Sequence, residues 1–144
     1  MYEIMIRHNF ETAHRLPHIP GKCRSLHGHS WWAEITVGAH QLNGDGLVVE
    51  FGPFKKLMRE WIDRELDHGS VLGAADPLIP LLAANDCKVF TIPDGWPTVE
   101  AVAALIFSVA EEQLWTIENA SSDARILRVT VRETAVNSAT WERP

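Results

Sequence analysis

Cysteine is scarce in this chain. Only Cys23 and Cys87 are present, too few for the disulfide framework of a small secreted domain and better suited to free thiols in a reducing compartment. Long apolar runs are missing too, so no segment reads as a membrane span. The first residues, Met1-Tyr2-Glu3-Ile4-Met5-Ile6-Arg7, alternate like a strand and lack the basic and apolar blocks of a secretion signal. The expectation is an intracellular, cytoplasmic protein with no membrane partner. Repeats, low-complexity tracts and linkers are absent. Acidic residues are missing from one region: between Thr12 and Ala33 there is no Asp or Glu, but there are Arg15, Lys22, Arg24 and four histidines. The formal net charge of the whole chain is -6, which argues against a nucleic-acid partner. A basic patch on an acidic protein suits a small anionic ligand, or else is a loop whose charges face water.

What is there reads as one domain, residues 1-144. Hydrophobic residues make up 46% of the chain and charged residues 22%, a globular composition with enough apolar mass for a core. Residues 2-10 alternate as a strand. Residues 30-39, rich in aromatic and β-branched types, read as a second. Asn43-Gly44-Asp45-Gly46 is a turn signal, and Leu47 to Phe51 reads as a resumed strand. Pro53 suits a first helical turn, and Phe54, Leu57, Met58, Trp61, Ile62 and Leu66 follow at helical spacing. A loop carrying Gly69, Gly73 and Pro77 comes next, then a short apolar piece over 78-83 and a short strand over 88-92. Pro97-Thr98 leads into a second helix reaching Trp115, with Val102, Leu105, Ile106, Val109 and Leu114 facing inward. Residues 125-133 alternate and close the sheet. This order predicts an α+β fold with an antiparallel sheet.

The chemistry concentrates in Cys23-Arg24-Ser25-Leu26-His27-Gly28-His29, with His14 upstream. Residues two apart on a strand share a face, so an extended His27-Gly28-His29 points both imidazoles the same way. With His14 they form a three-nitrogen set that leaves one position of a tetrahedral zinc open, the catalytic pattern. Cys23 has two possible roles. It can be a fourth ligand, making the site closed and structural. Alternatively, as a thiolate beside a metal and the basic Lys22 and Arg24, it can be a nucleophile or base. Asp67-His68 can form a proton relay, or be a helix-end pair facing the dipole. Glu133, ending the last strand, can take the amidine-like N–H groups of a heterocycle or simply be solvated. Glu100 suits the first turn of its helix. His8, His18 and His40 carry no usable pattern, and Cys87 reads as a small packed residue. Trp31 and Trp32 must face opposite sides of their strand.

Phe10-Glu11-Thr12-Ala13-His14-Arg15-Leu16, Cys23 to Ser30, Leu66-Asp67-His68, Pro97-Thr98-Val99-Glu100 and Val131-Arg132-Glu133-Thr134 stand in the order of a known family. The sequence resembles the 6-pyruvoyltetrahydropterin and 6-carboxytetrahydropterin synthases. The three-residue gap between Cys23 and His27 is similar to the bacterial 6-carboxy-5,6,7,8-tetrahydropterin synthases of queuosine and 7-deazapurine biosynthesis. Animal pyruvoyl synthases resemble the pattern with a longer gap. The resemblance implies zinc on His14, His27 and His29, Cys23 as general base, Asp67 and His68 as relay, and Glu133 as pterin anchor. Further substrate contacts would be Glu100 and Thr98, with Arg15, Lys22 and Arg24 near a triphosphate. It implies a T-fold, an antiparallel sheet with two helices on one face, oligomerising into a barrel, as a homohexamer with sites at subunit interfaces. The implied substrate is 7,8-dihydroneopterin triphosphate. A pyruvoyl synthase or related pterin side-chain lyase is the alternative, and a noncatalytic pterin- or zinc-binding protein a third reading. Glu50-Phe51 stands where the family has Asp-Phe. A longer segment between His68 and Pro97 either reshapes the entrance or decorates the surface.

Overall fold

The alternation that begins at Ile4 runs on past residue 10 to His14. A computed structural model describes residues 1–144, and in it strand β1 spans Tyr2–His14. Its partner β2 spans His27–Ala39. The two pair antiparallel with Phe10 opposite Trp31 and His14 opposite His27. Between them a turn of 3-10 helix, Lys22–Arg24, carries Cys23. The Leu16 N–H donates to the Cys23 carbonyl at 2.7 Å, which ties that turn to the chain just beyond His14.

Helix α1 covers Phe51–Glu65 and begins two residues before the proline expected to open it. Strand β3 is Gly69–Gly73, α2 is Leu78–Ala83 and β4 is Val89–Ile92. Helix α3 spans Val99–Trp115, β5 Arg125–Arg132 and β6 Ser138–Glu142. The six strands form one sheet in the order β4-β3-β1-β2-β5-β6.

The α+β expectation holds, but the sheet is mixed rather than antiparallel. β3 runs parallel to β1, with Thr12 opposite Gly69 and His14 opposite Val71, and β4 runs parallel to β3. The stretch expected as a loop over 69-77 therefore begins with a strand. Its Gly-flanked core, Ser70-Val71-Leu72, is too short to register by periodicity. A third, short helix, α2, follows it. Leu47 to Phe51 is not a strand. Asn43 Oδ1 accepts the N–H groups of Asp45 and Leu47 at 3.0 and 2.9 Å, folding this stretch into a turn, while both edges of β2 are already taken by β1 and β5.

One sheet face carries the core. Ile6, Phe10, Trp31, Ile35, Val37, Val129 and Val131 meet Phe54, Met58 and Ile62 of α1 and Val102, Ile106 and Val109 of α3. Burying each such side chain is worth roughly 1.5–3 kcal/mol. Trp31 is fully buried, and its Nε1–H donates to the Thr12 carbonyl at 3.0 Å. Trp32 faces the other way, with the Arg7 guanidinium 4.4 Å from its ring centroid, as alternation requires. The two prolonged strands carry the histidines to one end of this packed face, just beyond Phe10 and Trp31.

Candidate active site

His14, His27 and His29 meet because of register. Strand alternation places His14 on the same face as Phe10, and pairing sets it beside His27, with His29 two residues further along β2. One ligand nitrogen from each lies within 4.8 Å of the other two, a group able to hold a metal ion. Backbone carbonyls fix the rings. His14 Nδ1–H donates to the Pro97 carbonyl at 2.8 Å, and His27 Nδ1–H to the Ser25 carbonyl at 2.6 Å. Both tautomers are thereby set, leaving each Nε2 with its lone pair.

The fit to a metal rests on two orphaned atoms. His14 Nε2 and His29 Nε2 are buried and have no hydrogen-bond partner. A buried polar atom left unpaired costs about 1–3 kcal/mol, and a metal ion would satisfy both. Burial pushes both imidazoles below the ordinary histidine range. The Pro97 carbonyl pulls His14 partly back up, as the Glu133 charge does for His29, and the neighbouring His27 lowers both. Neutral imidazoles are the form a metal requires.

Cys23 stands in the turn beside this cluster, partly exposed and free, and is not one of the clustered donors. Asp67 and His68 follow α1 and are both pinned to Glu11 of β1. The Glu11 N–H donates to Asp67 Oδ1 at 2.8 Å, and the His68 N–H donates to the Glu11 carbonyl at 2.6 Å. His68 Nδ1–H donates to Asp67 Oδ2 at 2.6 Å, leaving Nε2 free on an exposed ring. Burial pushes the Asp67 carboxyl up. The Glu11 N–H, the His68 ring and the Lys88 charge outweigh it, so Asp67 sits below its usual range. His68 has φ 57, a left-handed conformation that costs a non-glycine residue about 1–2 kcal/mol. Strain of this kind gathers at functional sites.

Glu133 turns its carboxylate into the cluster, with Oε1 3.1 Å from His14 Nε2 and 3.4 Å from His29 Nε2. Thr98 Oγ1 accepts the Ala101 N–H at 3.2 Å as the N-cap of α3, and Glu100 is an exposed acid in the same first turn. Lys22 and Arg24 are exposed beside Cys23. Arg15 is already engaged: its Nε and Nη2 donate to Asp76 at 2.7 and 2.6 Å. No motif pointed to Asp76, nor to the Pro97 and Ser25 carbonyls. Asp76 lies in the long segment, which therefore clamps the residue next to His14. The Asp76 side chain is fully buried. Removing one partner of such a pair strands the other, so Asp76→Ala should lower unfolding free energy by about 3 kcal/mol, read by urea denaturation. Arg15 holds the Asp76 carboxyl below its usual range. The pair's contribution is thus present above the ordinary carboxyl range and lost as pH falls through the lowered value.

The family model described as 6-pyruvoyl tetrahydropterin synthase matches residues 3–144. The chain belongs to this family. Membership makes it a lyase-type enzyme acting on pterins. The 6-carboxy-5,6,7,8-tetrahydropterin synthase of Rickettsia typhi is 39% identical over 99 residues, covering 67% of this chain and 71% of the relative. The protein of the same name from Aquifex aeolicus is 30% identical over 128 residues, covering 84% and 76%. Among solved structures, the 6-pyruvoyl tetrahydropterin synthase of Caenorhabditis elegans superposes with a TM-score of 0.69 at 20% identity, covering 99% of this chain and 96% of that one. An uncharacterized protein from Wolinella succinogenes gives 0.81 at 18%, covering 99% and 98%. The structural likenesses establish the T-fold of the tetrahydropterin synthase family. No helix is long and apolar enough to cross a membrane.

Proposed function

We propose that this chain is a zinc-dependent 6-carboxy-5,6,7,8-tetrahydropterin synthase. It would convert 7,8-dihydroneopterin triphosphate and one water to 6-carboxytetrahydropterin, triphosphate and acetaldehyde. The observation that carries this reading is the histidine trio with two buried, orphaned nitrogens, set on the same strand end as the Asp67–His68 pair. The 6-carboxy name of several relatives supports the branch, as does the three-residue gap before His27.

His14, His27 and His29 would hold zinc, which supplies Lewis acidity to the hydroxyls of the substrate side chain. The remaining work falls to the chain's own groups. The Cys23 thiolate takes the proton from the side-chain carbon, and His68 Nε2 exchanges a proton on the opposing side. Asp67 keeps the His68 ring in the tautomer that leaves Nε2 available. The Glu133 carboxylate accepts the N–H groups of the pterin. Exposed Lys22 and Arg24 offer charge to the triphosphate. The reading extends to a cytoplasmic homohexamer with sites at subunit interfaces, serving queuosine or 7-deazapurine synthesis.

Incubating zinc-loaded protein with 7,8-dihydroneopterin triphosphate and weighing the products tests this. Acetaldehyde with a carboxy-pterin is the expected result. A pyruvoyl-pterin with no carbon lost would move the chain to the pyruvoyl branch. Zinc and pterin binding without turnover would overturn the enzymatic reading altogether.

A further inference from the structure

We infer that Glu133 is a fourth protein ligand of the metal site, closing it when no substrate is bound. This rests on the metal reading of the histidine trio and adds to it. A three-histidine site should leave its last position to water or substrate. Here a carboxylate stands against two of the histidine nitrogens.

The carboxylate lies outside the three-histidine cluster itself but within co-ligand reach of two of its members. Glu133 Oε1 lies 3.1 and 3.4 Å from His14 Nε2 and His29 Nε2, yet neither nitrogen has a hydrogen-bond partner. The oxygen is near both nitrogens without a hydrogen bond to either. Donors sharing one tetrahedral zinc at about 2.0–2.1 Å sit about 3.4 Å apart. The contacts match that edge length, through two of the three histidines.

Charge points the same way. The Glu133 side chain is 16% exposed, and its ion-pair contacts are only these two imidazoles. No lysine or arginine balances it. A largely buried carboxylate needs a cation, and a divalent ion between it and the histidines supplies one. The backbone is held for this placement. The Glu133 N–H donates to the Asn137 carbonyl at 3.1 Å, and Thr134 Oγ1 accepts from Val136 and Asn137. The tight turn between β5 and β6 thus presents the carboxylate to the cluster. When substrate enters, the carboxylate vacates that position and becomes free to take the pterin N–H groups.

The test uses zinc and cobalt on the whole chain, as wild type, Glu133→Gln and Glu133→Ala. Gln keeps the volume and hydrogen-bonding reach but is a poor ligand; far-ultraviolet circular dichroism checks that both variants fold. Zinc affinity, from competition with a chromophoric chelator, should fall by at least the ~10-fold that loss of an outer-shell partner costs. The visible bands of the cobalt form should shift as water replaces carboxylate. Unchanged affinity and unchanged cobalt bands in both variants, with wild type binding metal normally, overturn the ligand role while leaving the histidine site intact. A wild-type chain that binds neither metal overturns both.

Discussion

Cys23→Ala should bind zinc as tightly as wild type and lose turnover by about 10²–10⁴-fold, the range that one positioned proton-transfer group contributes. The separation of the two readouts follows from the site's construction. The clustered donors are His14, His27 and His29, all from β1 and β2, and the Cys23 thiol sits outside them on its own turn. That turn is held to the post-His14 chain through the Cys23 backbone carbonyl, a contact that alanine keeps. The check is metal content by mass spectrometry alongside product formation from 7,8-dihydroneopterin triphosphate. Loss of zinc from Cys23→Ala would sink the general-base role and return Cys23 to the ligand set.

His14→Ala should do the reverse damage, losing metal and turnover together. Disturbing an outer-shell partner costs a metal site about 10–100-fold, so deleting a ligand should exceed ~100-fold in zinc affinity. His14 is the most confined of the three, at 1% exposure, so no other side chain can swing into its place without repacking against Trp31, whose ring centroid is 4.9 Å away. Its Nδ1–H bond to the Pro97 carbonyl would also be lost, releasing the start of α3 from β1. Chelator competition reads the affinity, and a thermal melt of the metal-free protein reads the packing loss separately. Undiminished zinc binding in the folded variant would dismiss the histidine trio as a metal centre.

The parts of this molecule that sequence alone reveals are those written in local pattern. β5 alternates from Arg125 to Arg132, and α3 repeats apolar residues on one face, so both were legible. The His-x-His pair announced its shared face because β2 begins at His27 itself. What stayed hidden depends on distant partners. Val48 and Val49 are buried and look like strand residues, but the Asn43 side chain folds the chain ahead of them. Nothing local tells Val71 that its neighbour is His14 in parallel register. The ring-orienting groups at Pro97 and Ser25 are carbonyls, which every residue has, so no residue type could mark them. Asp76 was invisible because its partner Arg15 lies 61 residues away.

His68 has a further consequence for anyone engineering this chain. At φ 57 it occupies a left-handed place shortly after α1 that glycine fills more comfortably. Substituting glycine would recover up to about 1 kcal/mol, the left-handed penalty less the entropy glycine adds to the unfolded chain. A library sorted on melting temperature alone would therefore enrich glycine at position 68. It would discard the imidazole in the process, and the winners would be sturdier proteins without the proton relay proposed for Asp67 and His68. Selection for thermal robustness and selection for turnover pull in opposite directions at this one backbone angle.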